Sequence, residues 1–264
     1  MDFFRIQFEP TNVKPDTIFA LGSLEVTNAI LMGVLLVIML TVFSLIVRNK
    51  LSLIPGKLQN IVELAVEGMS TLVEQITGDK RMAEKLLPLI GTIFVFFTIS
   101  NLITLIPGIS SFTYNGVPLF RGPTNDFNMT FSVAFGVVIL SQLMSIKTFG
   151  LLGHLGKYFK FKELVQGFKK SMGDGFVALI DFFIGLLDIV SELAKVFSLS
   201  LRLFGNMFAG ELLLALLMGT FAIGIPSIWL GMNLLVGIIQ AIVFGALSTA
   251  YYMMAVQQAE AESH

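Results

Sequence analysis

The sequence has no cysteine, only two histidines and no glycine-rich phosphate-binding loop. The absence of cysteine excludes disulfides, thiolate zinc sites and thiol nucleophiles. His154 and His264 are far apart in the sequence and no cluster of carboxylates accompanies them, so we expect no metal site. A glycine-rich loop after a strand is the usual cradle for phosphates, and without one we expect neither nucleotide binding nor a cofactor.

Low charge and high hydrophobicity indicate a membrane protein. Charged residues make up only 13% of the 264 residues, against about 25% in soluble domains. Hydrophobic residues make up 55% and the mean hydropathy is +0.84, which is more apolar surface than a soluble chain of this size could bury. The net charge of −1 argues against a nucleic-acid partner. We therefore predict an all-α polytopic membrane protein.

Apolar runs separated by charged loops define the predicted topology. About 20 apolar residues suffice to cross a bilayer. Arg48, Lys50 and Lys57 follow the first run, and six lysines crowd residues 147–170. Because positive loops stay in the cytoplasm, the N-terminus is predicted outside and the C-terminus inside. The single membrane domain, 1–264, divides into an external N-terminal segment without a secretory signal, 1–25; span 1, 26–47; an amphipathic cytoplasmic-side helix, 58–76; span 2, 86–106; span 3, 127–146; a cytoplasmic loop, 147–173; a long helix, 174–222; and a final helix, 227–257.

The helix predicted over 174–222 is too long to stand upright in a membrane. At 1.5 Å per residue it would extend about 70 Å, against about 30 Å of hydrocarbon. Either it is strongly tilted or it breaks, near Gly185 or within 173–175. The final helix is also over-long and should tilt with it. We therefore expect about five membrane-embedded helices and one interfacial helix.

One arginine lies inside apolar sequence on the long helix. Arg202 stays charged in any protein environment, and a charge at a bilayer centre costs about 3 kcal/mol or more. It could snorkel to a membrane surface or form a structural ion pair. However, polar residues fall on its helical face, so this stripe must meet a water-filled cavity or a polar partner. The stripe is Asp188, Glu192, Lys195, Arg202 and Asn206.

The segment around Arg202 resembles a known signature. SLRLFGNMFAGE, residues 200–211, is similar to the motif of the a subunits of F-type ATP synthases, the membrane stators beside the rotating c-ring. Supporting pieces are NLITLIPG at 101–108, PTNDFNMT at 123–130, and Gln240. The resemblance covers most of the chain from about Gly91 onward and is weaker over the first 80 residues.

This resemblance implies a non-catalytic, ion-translocating subunit of a rotary ATP synthase in a bacterial plasma (inner) membrane. Its expected partners are the c-ring, the peripheral-stalk b subunits, the lipid bilayer and protons or sodium ions. The last two helices would form a tilted hairpin facing the c-ring, with Arg202 exchanging ions with the c-ring carboxylates between two aqueous half-channels. Glu211, Asn233 and Gln240 are candidates for the outer half-channel, Asp188, Glu192 and Ser198 for the cytoplasmic one, and Asn206 lies near Arg202.

Several readings stay open at this stage. Asn233 stands where many bacterial relatives carry histidine, so a Glu–His proton relay cannot operate here; Glu211 with water could suffice, or the ion could differ. Asn233 and Gln240 could equally serve helix–helix hydrogen bonding, and Lys195 is expected to pair with Glu192 or Asp188. An ion-coupled secondary transporter in which Arg202 binds an anionic substrate is the main alternative, although no internal repeat supports it. A structural scaffold would leave the polar stripe unexplained.

Overall fold

Helices make up most of the described chain. The structure, a computed structural model, describes residues 14–21, 24–106, 109, 112–114, 116–158, 169, 172–220 and 224–261. Within these residues the only strands form two short antiparallel hairpins, β1 (Thr17–Leu21) with β2 (Leu24–Thr27) and β3 (Thr113–Tyr114) with β4 (Val117–Pro118). The predicted all-α class is therefore confirmed. The helices are α1 (Asn28–Asn49), α2 (Lys57–Thr77), α3 (Lys80–Thr104), α4 (Phe127–Tyr158), α5 (Met172–Thr220) and α6 (Gly224–Ala261), with a 3-10 turn at Pro123–Asn125 before α4.

Four of the described helices are long and apolar enough to cross a membrane. No more than 33% of the most apolar window of each is buried inside the protein, so most of its side chains face outward. An apolar surface of this extent is unfavourable in water and suits hydrocarbon. The polytopic membrane character is thus confirmed, while the membrane embedding of α5 stays a prediction. The four segments are Asn28–Asn49, Lys80–Thr104, Phe127–Lys147 and Gly224–Val256.

Side-chain caps place the first helices within a few residues of the expected bounds. The β1–β2 hairpin, which the sequence pattern did not indicate, leads into α1, where the Ile30 N–H donates to the Thr27 hydroxyl at 3.3 Å. The Asp79 carboxylate accepts from the Arg81 N–H at 2.9 Å and begins α3 six residues before the predicted span. Residues 1–13 of the predicted external segment lie outside the described residues.

The amphipathic helix ends at a glycine. Gly78 adopts the left-handed conformation with φ 69°, and its N–H donates to the Glu74 carbonyl at 2.8 Å. Such a cap favours glycine because a side chain is strained at positive φ. Met69 and Val73 on one side of α2 are buried, whereas the leucines and isoleucine near its start, Leu58, Ile61 and Leu64, stay exposed.

The helix of span 3 runs beyond its predicted end. α4 extends to Tyr158 but is interrupted at Gly150, whose φ of 77° lies outside the helical region. Across this interruption His154 Nδ1 lies 3.1 Å from the Ser145 hydroxyl, and the Tyr158 hydroxyl donates to Gln142 at 3.1 Å. His154 is therefore buried in helical structure rather than in the open loop expected over 147–173. Residues 159–168, 170 and 171 of that loop lie outside the described residues.

The long helix is continuous. α5 spans 49 residues from Met172 to Thr220 without a break at Gly185, so its length is about 70 Å. Of the two options left by the sequence, the structure has the unbroken helix. α6 follows from Gly224, with Pro226 in its first turn, where a missing N–H costs no helical hydrogen bond.

The described residues form two compact units. One comprises residues up to Thr130 and from Leu201 to Ala246; the other comprises Phe131–Ser200 and the chain from Leu247. In the first unit, the residue before the 3-10 turn packs closely against α3. A Cβ atom added to Gly122 would lie only 2.1 Å from Thr104 Cγ2. Only glycine permits this approach without displacing the threonine.

Candidate functional site

Glu211 lies within the first unit and is bonded to the 3-10 turn. Its carboxylate on α5 accepts a hydrogen bond from Nδ2 of Asn125, which is 2% exposed. Asn125 belongs to the PTND segment that follows the close contact of Gly122 with α3. The turn therefore presents an amide donor to a carboxylate from a helix 86 residues further along the chain.

A small polar cavity adjoins this pair. Its volume is about 20 Å³, which is enough for one water molecule. Three residues predicted for the ion pathway, Asn206, Glu211 and Asn233, line it together. The other polar lining residues are Asn101, Thr104 and Asn125.

Two buried amide oxygens face no donor among the described residues. Asn101 is 1% exposed and its Nδ2 donates to the Gly237 carbonyl of α6 at 2.9 Å, so its orientation is fixed and its Oδ1 has no described partner. Asn125 is fixed in the same way by Glu211, and its Oδ1 is also without a described donor. A buried acceptor left unsatisfied costs about 1 to 3 kcal/mol. Both asparagines line the cavity, which has room for one water molecule as a donor.

Asn233 of α6 lines the cavity and lies against Gly210 of α5. A Cβ at Gly210 would lie 2.7 Å from Asn233 Oδ1, and the Trp229 indole N–H donates to the Gly210 carbonyl at 3.0 Å. The glycine before Glu211 thus lets the two helices meet at the site. Gln240, the other outer-channel candidate on α6, is half-buried and does not line the cavity.

A buried arginine that sequence reasoning did not assign stands beside this cluster. Arg121 is 6% exposed and donates to the main-chain carbonyls of Lys14 at 3.2 Å and Asn125 at 3.1 Å. It also interacts electrostatically with the carboxylates of Glu211 and Asp126. From sequence alone it was only the cation of an external loop. Its position two residues before PTND was the available signal.

Asp126 closes the charged cluster at the start of α4. Its carboxylate accepts from the Asn128 N–H at 3.0 Å. Burial raises the pKa of Asp126 above its ordinary value, while this hydrogen bond and the Arg121 guanidinium act in the opposite direction. Like Asn101 and Asn125, it belongs to a motif noted in the sequence but was not predicted as a site residue.

Arg202 is not among the residues that line this cavity. It is exposed on α5, next to the buried Leu203, and within its unit it makes no hydrogen bond or ion pair with any described residue. The structure therefore gives no intramolecular partner, within that unit, to a charge set in apolar sequence. In hydrocarbon such a charge requires a partner or water from beyond the described residues of that unit.

The second unit carries the cytoplasmic-side candidates on the preceding part of α5. Lys195 Nζ lies 2.7 Å from Glu192 Oε1 and 5.6 Å from the centroid of the Tyr251 ring, which confirms the predicted pairing of Lys195. Asp188 is half-buried and Ser198 is exposed on the same helix. Glu192 therefore has a cationic partner, whereas the side chain of Ser198 is exposed at the helix surface.

Comparison with known proteins identifies close similarity over most of the chain. The family model described as ATP synthase A chain matches residues 29–253. ATP synthase subunit a of Moorella thermoacetica is 30% identical over 241 residues, covering 91% of this chain and 96% of the relative. ATP synthase subunit a of Geobacter sulfurreducens is 31% identical, covering 98% of this chain and 96% of the relative. That of Desulforamulus reducens is 34% identical over 75% of this chain and 66% of the relative.

The Asn125–Glu211 bond can be tested by a double-mutant cycle. Asn125→Ala should lower the free energy of unfolding by about 1 to 3 kcal/mol, because it removes a buried donor to a carboxylate. In a Glu211→Ala background most of this loss should vanish, since the acceptor is gone. Asn60→Ala on the exposed side of α2 is the matched control. Equal losses from Asn125→Ala in both backgrounds, measured by denaturation in mixed micelles, would contradict the bond.

Proposed function

The chain belongs to the ATP synthase A chain family, whose members are non-catalytic membrane subunits of the Fo sector, and on this premise we propose that it couples ion flow to rotation through Arg202. In this proposal, two aqueous half-channels deliver protons, or sodium ions, to carboxylates of a c-ring and remove them. The observation that carries the proposal is that Arg202 is an exposed charge on an apolar helix without a partner among the described residues of its unit.

A fixed guanidinium has the right strength to discharge a rotor carboxylate. A carboxyl group in lipid is protonated because desolvation raises its pKa by up to 3 to 5 units. An arginine at about 4 Å contributes about 4 kcal/mol at an effective dielectric of 20, which is about 3 units in the opposite direction. The two effects are comparable. A carboxylate would therefore release its ion opposite Arg202 and regain one after leaving.

The outer half-channel is proposed to pass through the polar cavity. Glu211 is its titratable group, and Asn206 and Asn233 are uncharged hydrogen-bonding groups beside it. Because Asn233 does not titrate, the transfer would rely on Glu211 and water. Gln240 would line the same pathway at another level of α6.

The cytoplasmic half-channel is proposed to involve Asp188, Glu192 and Ser198 on α5. The pair of Glu192 with Lys195 is supported by a 2.7 Å contact, and it would keep this part of the helix polar without adding net charge. Asp188, which has no ion pair among the described residues of its unit, and the exposed Ser198 are then the groups best suited to hydrogen-bond with entering water.

The membrane setting follows from the same proposal. α5 and α6 would form the tilted hairpin that faces the c-ring, and α2 would meet the cytoplasmic interface or the peripheral-stalk b subunits. In a bacterial plasma (inner) membrane the N-terminus would lie outside and the C-terminus in the cytoplasm, as the arrangement of lysines favours.

The natural absence of cysteine gives a clean test of this orientation. Leu53→Cys, between α1 and α2, and Tyr114→Cys, in the β3–β4 hairpin, both replace exposed residues. A membrane-impermeant maleimide added outside whole cells should label Tyr114→Cys and spare Leu53→Cys. Labelling of Leu53→Cys from outside would reject the orientation.

Glu211→Gln tests the outer half-channel. The neutral isostere keeps the packing but cannot exchange a proton, so we expect assembled complexes with passive proton conduction reduced about tenfold or more. The measurement is dye-reported flux into vesicles. Glu67→Gln, on α2 and exposed, is the control and should conduct normally. Normal flux and an unchanged pH profile in Glu211→Gln would assign Glu211 a structural role.

Arg202→Lys and Arg202→Ala test the proposed exchange. The lysine keeps a charge but can be neutralised by burial, so we expect ATP-driven pumping to be lost in a normally assembled complex. The alanine should in addition allow passive leakage, since no fixed charge would repel ions crossing between half-channels. Flux is measured with and without nucleotide, and Arg81→Lys on the exposed start of α3 is the control. Robust pumping by Arg202→Lys would refute the essential role.

A further inference from the structure

Arg121 is a buried charge that the proposed mechanism does not use. It is 6% exposed, and its guanidinium is satisfied in part by main-chain carbonyls from two separate segments, Lys14 at 3.2 Å and Asn125 at 3.1 Å. Burying an arginine is costly unless its charge is balanced and its donors are bonded. The surroundings supply two main-chain acceptors and the nearby carboxylates of Glu211 and Asp126.

Contacts connect Arg121 to Glu211 through one residue. The Nη2 atom of Arg121 donates to the carbonyl of Asn125, and Nδ2 of the same asparagine donates to the Glu211 carboxylate. The guanidinium thus fixes the main chain of the residue whose side chain holds the carboxylate. If Arg121 moved, the amide of Asn125 would lose its anchor at the cavity wall.

Charges connect the same groups directly. Arg121 interacts electrostatically with both Glu211 and Asp126, and Asp126 is further held by the Asn128 N–H. One cation and two carboxylates carry a net charge of −1 when all are ionised, and binding of one proton brings the cluster to neutrality. The remaining residues that line the cavity from α3, α5 and α6 are uncharged, so among the described residues no other group there competes for this proton.

We propose that Arg121 is a positioning residue for ion uptake: it holds Asn125 against Glu211 and supplies the fixed positive charge that balances this carboxylate. The proposal rests on the proposed function in placing Glu211 on the ion pathway. Arg121 thereby has a different task from the one proposed for Arg202, since Arg121 is buried and its contacts lie within the chain.

The first test measures the protonation of Glu211 without transport. Carbodiimides react with protonated carboxyl groups, so the modification of Glu211 is followed against pH by mass spectrometry in assembled complexes. Removing a nearby opposite charge makes a carboxyl group bind its proton more tightly. Arg121→Gln should therefore move the midpoint pH of modification upward by about one to two units, and Arg121→Lys should keep it within about half a unit of the natural protein.

The controls separate charge from general disruption. Arg81→Gln makes the same change at an exposed site on α3 and should leave the midpoint unchanged. If Arg121→Gln alone does not assemble, Asn125→Ala removes the donor that Arg121 positions and leaves every charge in place; it should also move the Glu211 midpoint upward. A midpoint unchanged in assembled Arg121→Gln or in Asn125→Ala would overturn the proposal, as would an equal shift in Arg81→Gln.

A second measurement distinguishes this proposal from the proposed function. In vesicles freed of the catalytic sector, the pH profile of passive proton conduction by Arg121→Gln should shift by the same amount as the modification midpoint. Normal conduction in Glu211→Gln would reject the pathway role of Glu211 and leave the modification result intact. A modification midpoint that does not move, with conduction still dependent on Glu211, would reject Arg121 alone.

Discussion

The structure of the first unit depends on stabilising one carboxylate, that of Glu211, among largely apolar helices. A carboxylate without partners would be costly in such surroundings. Two groups act on Glu211: Asn125 donates to it from the 3-10 turn, and Arg121 supplies positive charge from the loop before that turn. Asn101, which lines the same cavity, fixes α3 to α6 through the Gly237 carbonyl. Removing Asn125 or Arg121 would take from the carboxylate a partner that stabilises its charged form.

Two glycines make that convergence sterically possible. Gly122 brings the 3-10 turn onto α3, and Gly210 brings α6 onto α5 directly beside Glu211. In membranes, where helix association gains little from hydrophobic burial, close approach through small residues is a general means of packing. Here it also brings Asn125 and Asn233 to the wall of one cavity, whose volume is about 20 Å³.

The sequence predicted the helices well and the site only in part. Apolar runs and lysine-rich loops located every described helix, because span length and charge placement are local properties of the chain. Glu211, Asn206 and Asn233 were named from helical spacing and a motif, and they do line one cavity. Arg121, Asn101 and Asn125 were missed, because each makes a contact with a residue 86 to 136 positions away, and no periodicity in the sequence indicates such pairs. The helical extension of α4 past Gly150 was missed because the lysines of this segment indicated a cytoplasmic connection, and charge placement does not show whether the backbone is helical.

The two arginines have different surroundings, which suit the different tasks proposed for them. The guanidinium of Arg121 donates to main-chain carbonyls, which fix its position. It also interacts with two carboxylates of its own chain, which balance its positive charge within the site. Arg202 is exposed and has no such partner among the described residues of its unit. Its positive charge can therefore interact with a carboxylate that approaches the exposed side of the helix. An arginine already neutralised by a permanent carboxylate could not also discharge a passing one, because the net charge presented would be close to zero. The absence of an internal partner for Arg202 within that unit is therefore what ion exchange with a moving carboxylate requires, and the abundance of partners around Arg121 is what positioning a stationary one requires.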